Sequence, residues 1–168
     1  AAQCSLGAGE KHSLLVLRGT VQSWGSGLHL GHEAAVDNPS LLYPTPTPIR
    51  ALDGVGVVAV SAGLSHSVAL TADGQAWSWG YQGQGALGHG VSAMHASNMP
   101  AWVPRPLLSL STEVVVQVSC SERHTLLLSR EGYVYSCGDG LAGQLGHGDN
   151  SPINVPRQIL QWQAPAAA

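Results

Sequence analysis

Short runs of alternating or β-branched apolar residues recur along the chain and predict β-strands. Near the middle, VVAVS (residues 57–61) and HSVALT (residues 66–71) have the length and composition of strands. The tripeptide ADG (residues 72–74) predicts a hairpin turn, because Asp-Gly tolerates the positive φ that tight turns require. The following QAWSWG (residues 75–80) alternates again and places both of its tryptophans on one face of a strand. The pattern therefore predicts consecutive antiparallel strands.

This pattern occurs three times, with four landmarks in the same order. A histidine opens each copy, a glycine marks the turn, an aromatic-Gly or Cys-Gly pair follows, and a Leu-Gly-His triplet ends the copy. The landmarks are His12, Gly19, Trp24-Gly25 and residues 30–32; His66, Gly74, Trp79-Gly80 and residues 87–89; and His124, Gly132, Cys137-Gly138 and residues 145–147. All-β repeats of this length are typical of β-propellers, whose blades are four-stranded sheets.

We therefore predict an all-β fold of β-propeller blades, each of four antiparallel strands, with about three blades in this chain. The predicted repeats span residues 1–50, 51–108 and 109–163, followed by a tail at residues 164–168. A weak fourth strand of the second blade is expected near residues 106–110. The proline-rich segments 38–50 and 91–106 are interpreted as stiff, extended connectors between blades. The first of them could instead be a ligand for a proline-recognising domain.

The repeat resembles that of the regulator of chromosome condensation (RCC1) family. VSAGLSHSVAL (residues 60–70) fits the family signature throughout, and LGAGEKHSLLV (residues 6–16) fits it nearly as well. The third copy, VSCSERHTLLL (residues 118–128), departs by carrying Ser121 where glycine is expected, and Cys137 replaces tryptophan. The resemblance implies an RCC1-like seven-bladed propeller, of which about three repeats are present. It also implies the family's founding activity, guanine-nucleotide exchange on the small GTPase Ran.

Two functions from different classes follow. The first is a non-catalytic module for protein–protein interaction, held in a larger chain or multi-subunit assembly and presenting its loops to a protein partner. The alternative is a guanine-nucleotide exchange factor or regulator for a Ran-type small GTPase. Exchange in the family uses one face of a complete ring together with an inserted β-hairpin, and neither is evident here. The interaction module is therefore favoured, and no enzyme activity is expected.

Composition and charge limit the classes of partner that the protein can bind and indicate its cellular compartment. Apolar residues make up 44% of the chain and charged residues 10%, which suits half-buried strands and argues against disorder. A formal net charge of −3 argues against a nucleic-acid-binding protein, which would normally show a basic stripe. No apolar run is long enough to span a membrane. Cys4, Cys120 and Cys137 form no Cys-x-x-Cys pair and predict reduced, buried thiols in an intracellular protein.

Three sequence patterns suggest nucleotide binding, metal binding or catalysis, but each is better explained by the structure of the repeat. Segments 83–88 and 138–143 match Gly-x-Gly-x-x-Gly, but they recur with the repeat and precede no helical pattern that would hold a pyrophosphate. The eight histidines include no ligand set at a spacing typical of zinc. A catalytic set of Ser65, His66 and Asp73 is not repeated, because a basic residue replaces the serine in the other copies. We expect no catalytic, metal-binding or cofactor-binding residue and no cofactor.

The repeated glycines, histidines and tryptophans are assigned structural roles instead. Each repeat histidine follows a tight turn, and its ring is expected to bond to a nearby backbone carbonyl. Gly63 is expected to need a positive φ. The predicted structural residues are Gly9, His12, Gly19, Trp24, Gly25, Gly31, Gly63, His66, Gly74, Trp79, Gly80, Gly88, His124, Gly132, Gly138 and Gly146.

An open run of three blades exposes an apolar face at each end. The first and third copies carry the same Val, Leu and Ala pattern as the middle copy, without a polar cap. We therefore expect protein outside these residues, either missing blades or another subunit, to cover both faces.

Overall fold

In the computed structural model, the described residues form three four-stranded antiparallel sheets. The structure describes residues 4–34, 41–81, 83–90 and 102–160. The strands are β1 (Cys4–Ala8), β2 (His12–Leu17), β3 (Thr20–Ser26), β4 (Leu42–Pro48), β5 (Val57–Ala62), β6 (His66–Thr71), β7 (Ala76–Gly80), β8 (Arg105–Pro106), β9 (Val115–Cys120), β10 (His124–Ser129), β11 (Val134–Gly138) and β12 (Ile153–Gln158). Short 3-10 helices lie at Leu28–Leu30, Arg50–Leu52, Gly83–Gly85 and Leu108–Leu110. Within the described ranges, no helix is long and apolar enough to cross a membrane.

Each sheet is a blade whose four strands follow one another along the chain and in space. In every blade the repeat histidine begins the second strand and pairs with a glycine of the third: His12 with Gly25, His66 with Gly80, and His124 with Gly138. The tight turns between these strands contain Gly74 and Gly132, with φ of 91° and 88°, as the sequence predicts. The predicted fold class, partial β-propeller blades of four antiparallel strands, is confirmed.

The outermost strand of the first blade lies in a segment that the sequence analysis interprets as a connector. Within the predicted connector 38–50, Leu42–Pro48 forms β4 and pairs with β3. The segment is extended, as predicted, but it is a paired strand and not a free linker. Prolines alternate along it at positions 44, 46 and 48, and an edge strand tolerates them because only one of its edges is hydrogen-bonded.

The fourth strand of the second blade is shorter than predicted and lies earlier. Only Arg105–Pro106 pairs with β7, and Leu108–Leu110 forms a 3-10 helix. The Leu107 N–H still bonds to the Ala76 carbonyl, after which the Leu110 N–H bonds back to Leu107 and turns the chain. The prediction of a strand at residues 106–110 is therefore wrong beyond its first residue. Of the predicted connector 91–106, residues 91–101 lie outside the described residues.

The hydrophobic core lies between the blades. One cluster fills the space between the first and second blades: Leu14, Val16, Val21, Ile49, Leu52, Val57, Val60, Ala69 and Trp79. A second cluster fills the space between the second and third: Leu70, Ala76, Leu107, Leu110, Val115, Leu127 and Tyr135. Trp79 is completely buried and Trp77 packs against the first cluster, so both tryptophans share a face as predicted. Each blade therefore depends on its neighbour for burial.

Candidate functional site: blade junctions and open faces

The junction between the first and second blades is built around one serine hydroxyl. Ser67 follows the repeat histidine on β6, is completely buried, and donates from Oγ to the His29 carbonyl at 3.1 Å. The indole Nε1 of Trp79, on β7, donates to the same carbonyl at 2.9 Å. His12 Nε2 of the first blade lies 2.9 Å from Ser67 Oγ. Because the single hydroxyl proton goes to the carbonyl, the His12 Nε2–H is the donor to Ser67.

The junction between the second and third blades repeats this arrangement with other residue types. Thr125 Oγ1 donates to the Ala86 carbonyl at 2.8 Å, and His66 Nε2 lies 3.0 Å from Thr125 Oγ1. The Cys137 thiol points at the Ala86 carbonyl, with Sγ 3.6 Å from the oxygen, where the first junction has an indole. The chemistry of the junction is thus kept while the donor changes from Trp to Cys.

His12 and His66 therefore link neighbouring blades. The predicted bond from each ring to a nearby backbone carbonyl is wrong for His12 and His66, because both rings reach a hydroxyl of the next blade. Burial, with smaller effects of His29 and His66, lowers the pKa of His12 to about 3. Burial, with a smaller effect of His124, lowers the pKa of His66 to about 4. Both rings are neutral at pH 7, as one donor nitrogen per ring requires.

Close packing leaves no room for a side chain at the glycine three residues before His12 and His66. Gly63 does not have a positive φ, so the prediction of that conformation is wrong. A Cβ at Gly63 would overlap His66 Cε1 and the Ser121 carbonyl oxygen of the next blade. A Cβ at Gly9 would overlap the His12 ring and lie 2.6 Å from the Gly63 carbonyl oxygen. The missing side chain makes room for the ring and for the next blade together.

A second hydroxyl in each blade holds the loop that carries the Leu-Gly-His triplet. Ser78 Oγ donates to the Leu87 carbonyl at 2.7 Å and lies 2.9 Å from His89 Nε2. The other blades repeat this clamp, with Ser23 at 2.7 Å from the Leu30 carbonyl and 3.0 Å from His32, and Ser136 at 2.8 Å from both the Leu145 carbonyl and His147. The same loop supplies the carbonyl of the junction, so the clamp positions the acceptor for the next blade.

Sequence reasoning does not identify these two sets of hydroxyls. The junction set is Ser67 and Thr125, and the clamp set is Ser23, Ser78 and Ser136. A signal is present in the sequence, because a Ser or Thr directly follows every repeat histidine and a serine stands two residues before Gly25, Gly80 and Gly138. Recurrence at a fixed place in the repeat is the feature that could have found them.

The remaining predicted structural residues lie in the turns and on the strands. Nine of the predicted structural glycines have φ between 74° and 115°: Gly19, Gly25, Gly31, Gly74, Gly80, Gly88, Gly132, Gly138 and Gly146. Trp24 is half-buried on β3, whereas Trp79 is completely buried on β7. That folding needs each of these residues stays a prediction.

The patterns that suggest catalysis or cofactor binding are not assembled into a site. Gly83–Gly85 is a single 3-10 turn that packs on β12 of the third blade. Asp73 lies in the turn after β6, whereas Ser65 and His66 stand at its start, so the possible catalytic set is spread along a whole strand. Among the described residues, no three His, Cys, Asp or Glu side chains converge in a way that could hold a metal ion.

All three cysteines are free. Burial raises the pKa of the Cys137 thiol, which lies completely buried in the second junction. Cys4 is exposed on β1, so the prediction of a buried thiol is wrong for this residue. It is exposed because it lies opposite Leu17 on the outward face of the first blade.

The outward face of the first blade repeats the junction face of the second blade. On the second blade, one cross-strand row consists of Ala62, Ser67 and Trp79; on the first, the matching row consists of Ala8, Ser13 and Trp24. Ser13 and Trp24 are half-buried, whereas Ser67 and Trp79 are completely buried. Beside the row, Leu6 is 71% exposed. The first blade therefore presents an unfilled half of a junction.

The outward face of the third blade presents the opposite half of a blade junction, the half that carries the repeat histidine, with Ser121 in place of the glycine. Ser61 Oγ of the second blade accepts the Cys120 N–H at 2.8 Å, and the equivalent Ser119 is exposed. His124, at the position of His12 and His66, is half-buried. Its Nδ1 lies 2.5 Å from Oγ of Ser121, the residue that replaces the glycine. This histidine is thus held within its own blade.

Comparison with known proteins agrees with this architecture. The chain is 38% identical over 162 residues to the ultraviolet-B receptor UVR8 of Arabidopsis thaliana, covering 94% of this chain and 34% of the receptor. It is 37% identical over 159 residues to the human E3 ubiquitin-protein ligase HERC2, covering 90% of this chain and 3% of the ligase. The crystal structure of Prp20p from Saccharomyces cerevisiae is similar with a TM-score of 0.77 at 22% identity, over 92% of this chain and 37% of Prp20p. The chain thus spans about a third of the receptor's length.

The same repeat is found by the family comparison. Residues 18–70, 73–128 and 131–164 match the Regulator of chromosome condensation (RCC1) repeat. Each match begins in the turn before the third strand of a blade, and the first two matches end on β6 and β10, the second strands of the following blades. With most of its residues matched and its blades arranged as in Prp20p, the chain belongs to the RCC1 repeat family.

Proposed function

We propose that this chain is a non-catalytic RCC1-repeat module that mediates protein–protein interaction as part of a larger chain or multi-subunit assembly. The observation that carries the proposal is the pair of unfilled half-junctions on the first and third blades. Inside the chain, Ser67, Ala69 and Trp79 at the equivalent positions of the second blade are completely buried. Burial of apolar surface stabilises by roughly 25 cal/mol per Å², so a partner that covers these faces gains the stabilisation that the internal junctions have.

Variants of the two open faces test this proposal. Leu15→Glu places a charge in the middle of the first blade's outward face, and Leu126→Glu does the same on the third blade. Ser109→Glu is the matched control, because Ser109 is exposed on a 3-10 helix away from both faces. We expect the wild type and the control to capture the same protein in a pull-down read by mass spectrometry, and a face variant to lose it. Equal capture by all four proteins would contradict the proposal.

The activities of the relatives are not carried over to this chain. UVR8 is named as an ultraviolet-B receptor and HERC2 as a ubiquitin ligase, but the chain covers only 34% and 3% of them. Prp20p is described by its binding properties to Gsp1p and histones. At 22% identity, that likeness supports the fold alone.

Guanine-nucleotide exchange on a Ran-type small GTPase is the alternative that the family resemblance implies. The direct test is release of a fluorescent GDP analogue from the GTPase, with and without the chain. Release at the intrinsic rate is expected for the interaction module. Faster release of the GDP analogue with the chain, unchanged by Ser109→Glu, would favour the exchange function over the interaction module.

An intracellular location is part of the proposal. It is supported by three free cysteines, one of which is exposed and would be open to oxidation outside a reducing compartment. Labelling of Cys4 by a thiol reagent in freshly lysed cells is expected, and a blocked Cys4 would count against this location.

A further inference from the structure

We propose that Thr45 is a phosphorylation site for a proline-directed protein kinase, with a nucleoside triphosphate as the phosphoryl donor. Thr45 lies on β4, the outermost strand of the first blade, and Pro46 follows it directly. The site belongs to an edge strand, and it goes beyond the proposed interaction module, which is inferred from the two open blade faces.

The chain has three places where a serine or threonine directly precedes proline, which is the sequence that proline-directed kinases recognise. They are Thr45-Pro46, Thr47-Pro48 and Ser151-Pro152. A residue before proline favours an extended backbone, and a kinase cleft binds its substrate segment in that conformation. The three places are alike in sequence, so their surroundings in the structure decide among them.

The hydroxyl of Thr45 is accessible and that of Thr47 is engaged. Thr45 is exposed, and its side chain makes no hydrogen bond to the other residues that the structure describes. Thr47 is half-buried, and its Oγ1 donates to the Thr45 carbonyl at 3.0 Å. Of the two threonines, the structure therefore favours Thr45 as the phosphate acceptor.

The backbone around this threonine is weakly held, so it can leave the sheet locally and enter a kinase cleft. Ser23 pairs with Thr47, and Gly25 pairs with Tyr43. The register shifts between these pairs, and residues 44–46 have no cross-strand partner among the described residues. Two of these three residues are prolines, which donate no backbone hydrogen bond. Segments with few such bonds open at a low cost in free energy.

Ser151 is exposed as well, but its surroundings disfavour a phosphate. Its N–H donates to the Asp149 carboxylate at 2.9 Å, and its carbonyl oxygen lies close against Gly140, so its backbone is held on both sides. A phosphate on Ser151 would also stand beside the Asp149 carboxylate, and like charges repel each other. Residues 41–48 include no charged side chain, so a phosphate on Thr45 meets no such repulsion within its own strand.

The reaction transfers one phosphoryl group to the strand. Thr45 Oγ1 attacks the γ-phosphorus of the Mg²⁺-bound triphosphate, and its proton goes to the catalytic aspartate of the kinase. An Oγ1–P bond forms, the bond from the γ-phosphorus to the β–γ bridging oxygen breaks, and the nucleoside diphosphate leaves. The phosphate adds about two negative charges. An uncharged edge strand thereby becomes acidic.

The test is phosphorylation of the folded 168-residue chain by a mitogen-activated protein kinase with Mg²⁺-ATP, read by mass spectrometry of the chain and its peptides. We expect a single phosphate, on Thr45. Thr45→Ala should reduce incorporation to the level without kinase, and so should Pro46→Ala, although it keeps the threonine. Unfolding would expose Thr45 further, so a loss in Pro46→Ala reports recognition of the proline. Thr47→Ala and Ser151→Ala are the matched controls and should be phosphorylated as the wild type is.

A synthetic peptide of residues 41–50 separates the recognition sequence from its presentation by the sheet. We expect phosphorylation of Thr45 in the folded chain at a rate within about tenfold of that in the peptide, because local opening of such a segment costs little. A peptide that is phosphorylated while the folded chain is not would overturn the inference. So would phosphorylation of the chain mainly on Thr47 or Ser151, or of neither chain nor peptide.

Discussion

At the residue scale, Gly63 tests whether the blades meet as the structure shows. Gly63→Ala introduces a Cβ that overlaps the His66 ring and the Ser121 carbonyl. Overpacking of this kind costs about 1–3 kcal/mol, and we expect a loss in that range in the free energy of unfolding measured with urea.

Ser121→Ala is the matched control for this prediction. The third blade already has a Cβ there, so the substitution removes only the hydrogen bond to His124 and costs about 1 kcal/mol or less. Equal losses at the two positions would show that the packing of Gly63 against the next blade does not determine the effect.

The buried histidines predict that stability falls in mild acid. Burial lowers the pKa of His66 from its ordinary value of 6.5 to about 4 in the folded protein, so between these values the unfolded chain binds more protons. Stability therefore rises with pH in this window. The contribution of His66 is present in full above about pH 6.5 and is lost as pH falls towards 4, by up to about 1.4 kcal/mol per pH unit for one histidine. Melting temperatures at pH 7.5, 6 and 5 check this prediction.

A neutral replacement at position 66 separates this histidine from other groups. His66→Gln should flatten the dependence of the melting temperature on pH, whatever its effect at pH 7.5. His147→Gln, at a less buried ring, should leave the slope nearly as in the wild type. An unchanged slope in His66→Gln would contradict the assignment.

At the scale of elements, the clamp serine joins a strand to the loop that follows it. Ser78→Ala removes the donor to the Leu87 carbonyl and leaves His89 without its hydroxyl partner. An unsatisfied buried polar group costs about 1–3 kcal/mol, so we expect a loss of that size in urea denaturation and faster amide exchange in residues 83–90. Ser65→Ala, at a half-buried serine outside the clamp, should change either quantity little. Similar effects of both variants would count against the clamp.

Elements with strong local signals could be predicted from the sequence, and elements determined by pairing could not. The hairpin β6–β7 has alternating apolar residues and an Asp-Gly turn, and its predicted strands agree with the structure to within a residue. β4 could not be recognised, because its prolines disfavour a strand unless the segment lies at a sheet edge. β8 is two residues long and has no periodicity to read. Both are specified by the third strand of their blade.

At the blade junctions, too, the local features could be predicted from the sequence and the contacts between blades could not. The positions of the repeat histidines at strand starts follow from local pattern, whereas their partners belong to the next blade, more than fifty residues away. The sequence alone does not show which residues of neighbouring blades lie close together, so a carbonyl close in sequence is the simplest acceptor to expect. The expectation of a positive φ at Gly63 fails for a related reason, since one of its close neighbours, the Ser121 carbonyl oxygen, comes from the next blade.

At the scale of the whole molecule, the open faces predict binding of a hydrophobic dye by the folded 168-residue chain. Leu6 is 71% exposed and Leu17 42%, both on the outward face of the first blade. Replacing both with Lys should reduce dye fluorescence by roughly a third to a half, because continuous apolar patches bind such dyes and isolated residues do not. Leu108→Lys is the control: Leu108 is 74% exposed, but lies on a 3-10 helix apart from this face. A larger loss in the control would contradict the prediction.

The prolines of β4 determine how the rim of the first blade meets other proteins. Because proline has no N–H, the donors from β4 to β3 come from the residues between prolines 44, 46 and 48. The backbone nitrogens at these three positions then point away from the sheet and cannot donate to an added strand. An exposed strand edge normally invites pairing with another chain, and edge prolines prevent it. This rim therefore resists the edge-to-edge growth that leads to fibrils, even in a chain whose blade faces are open.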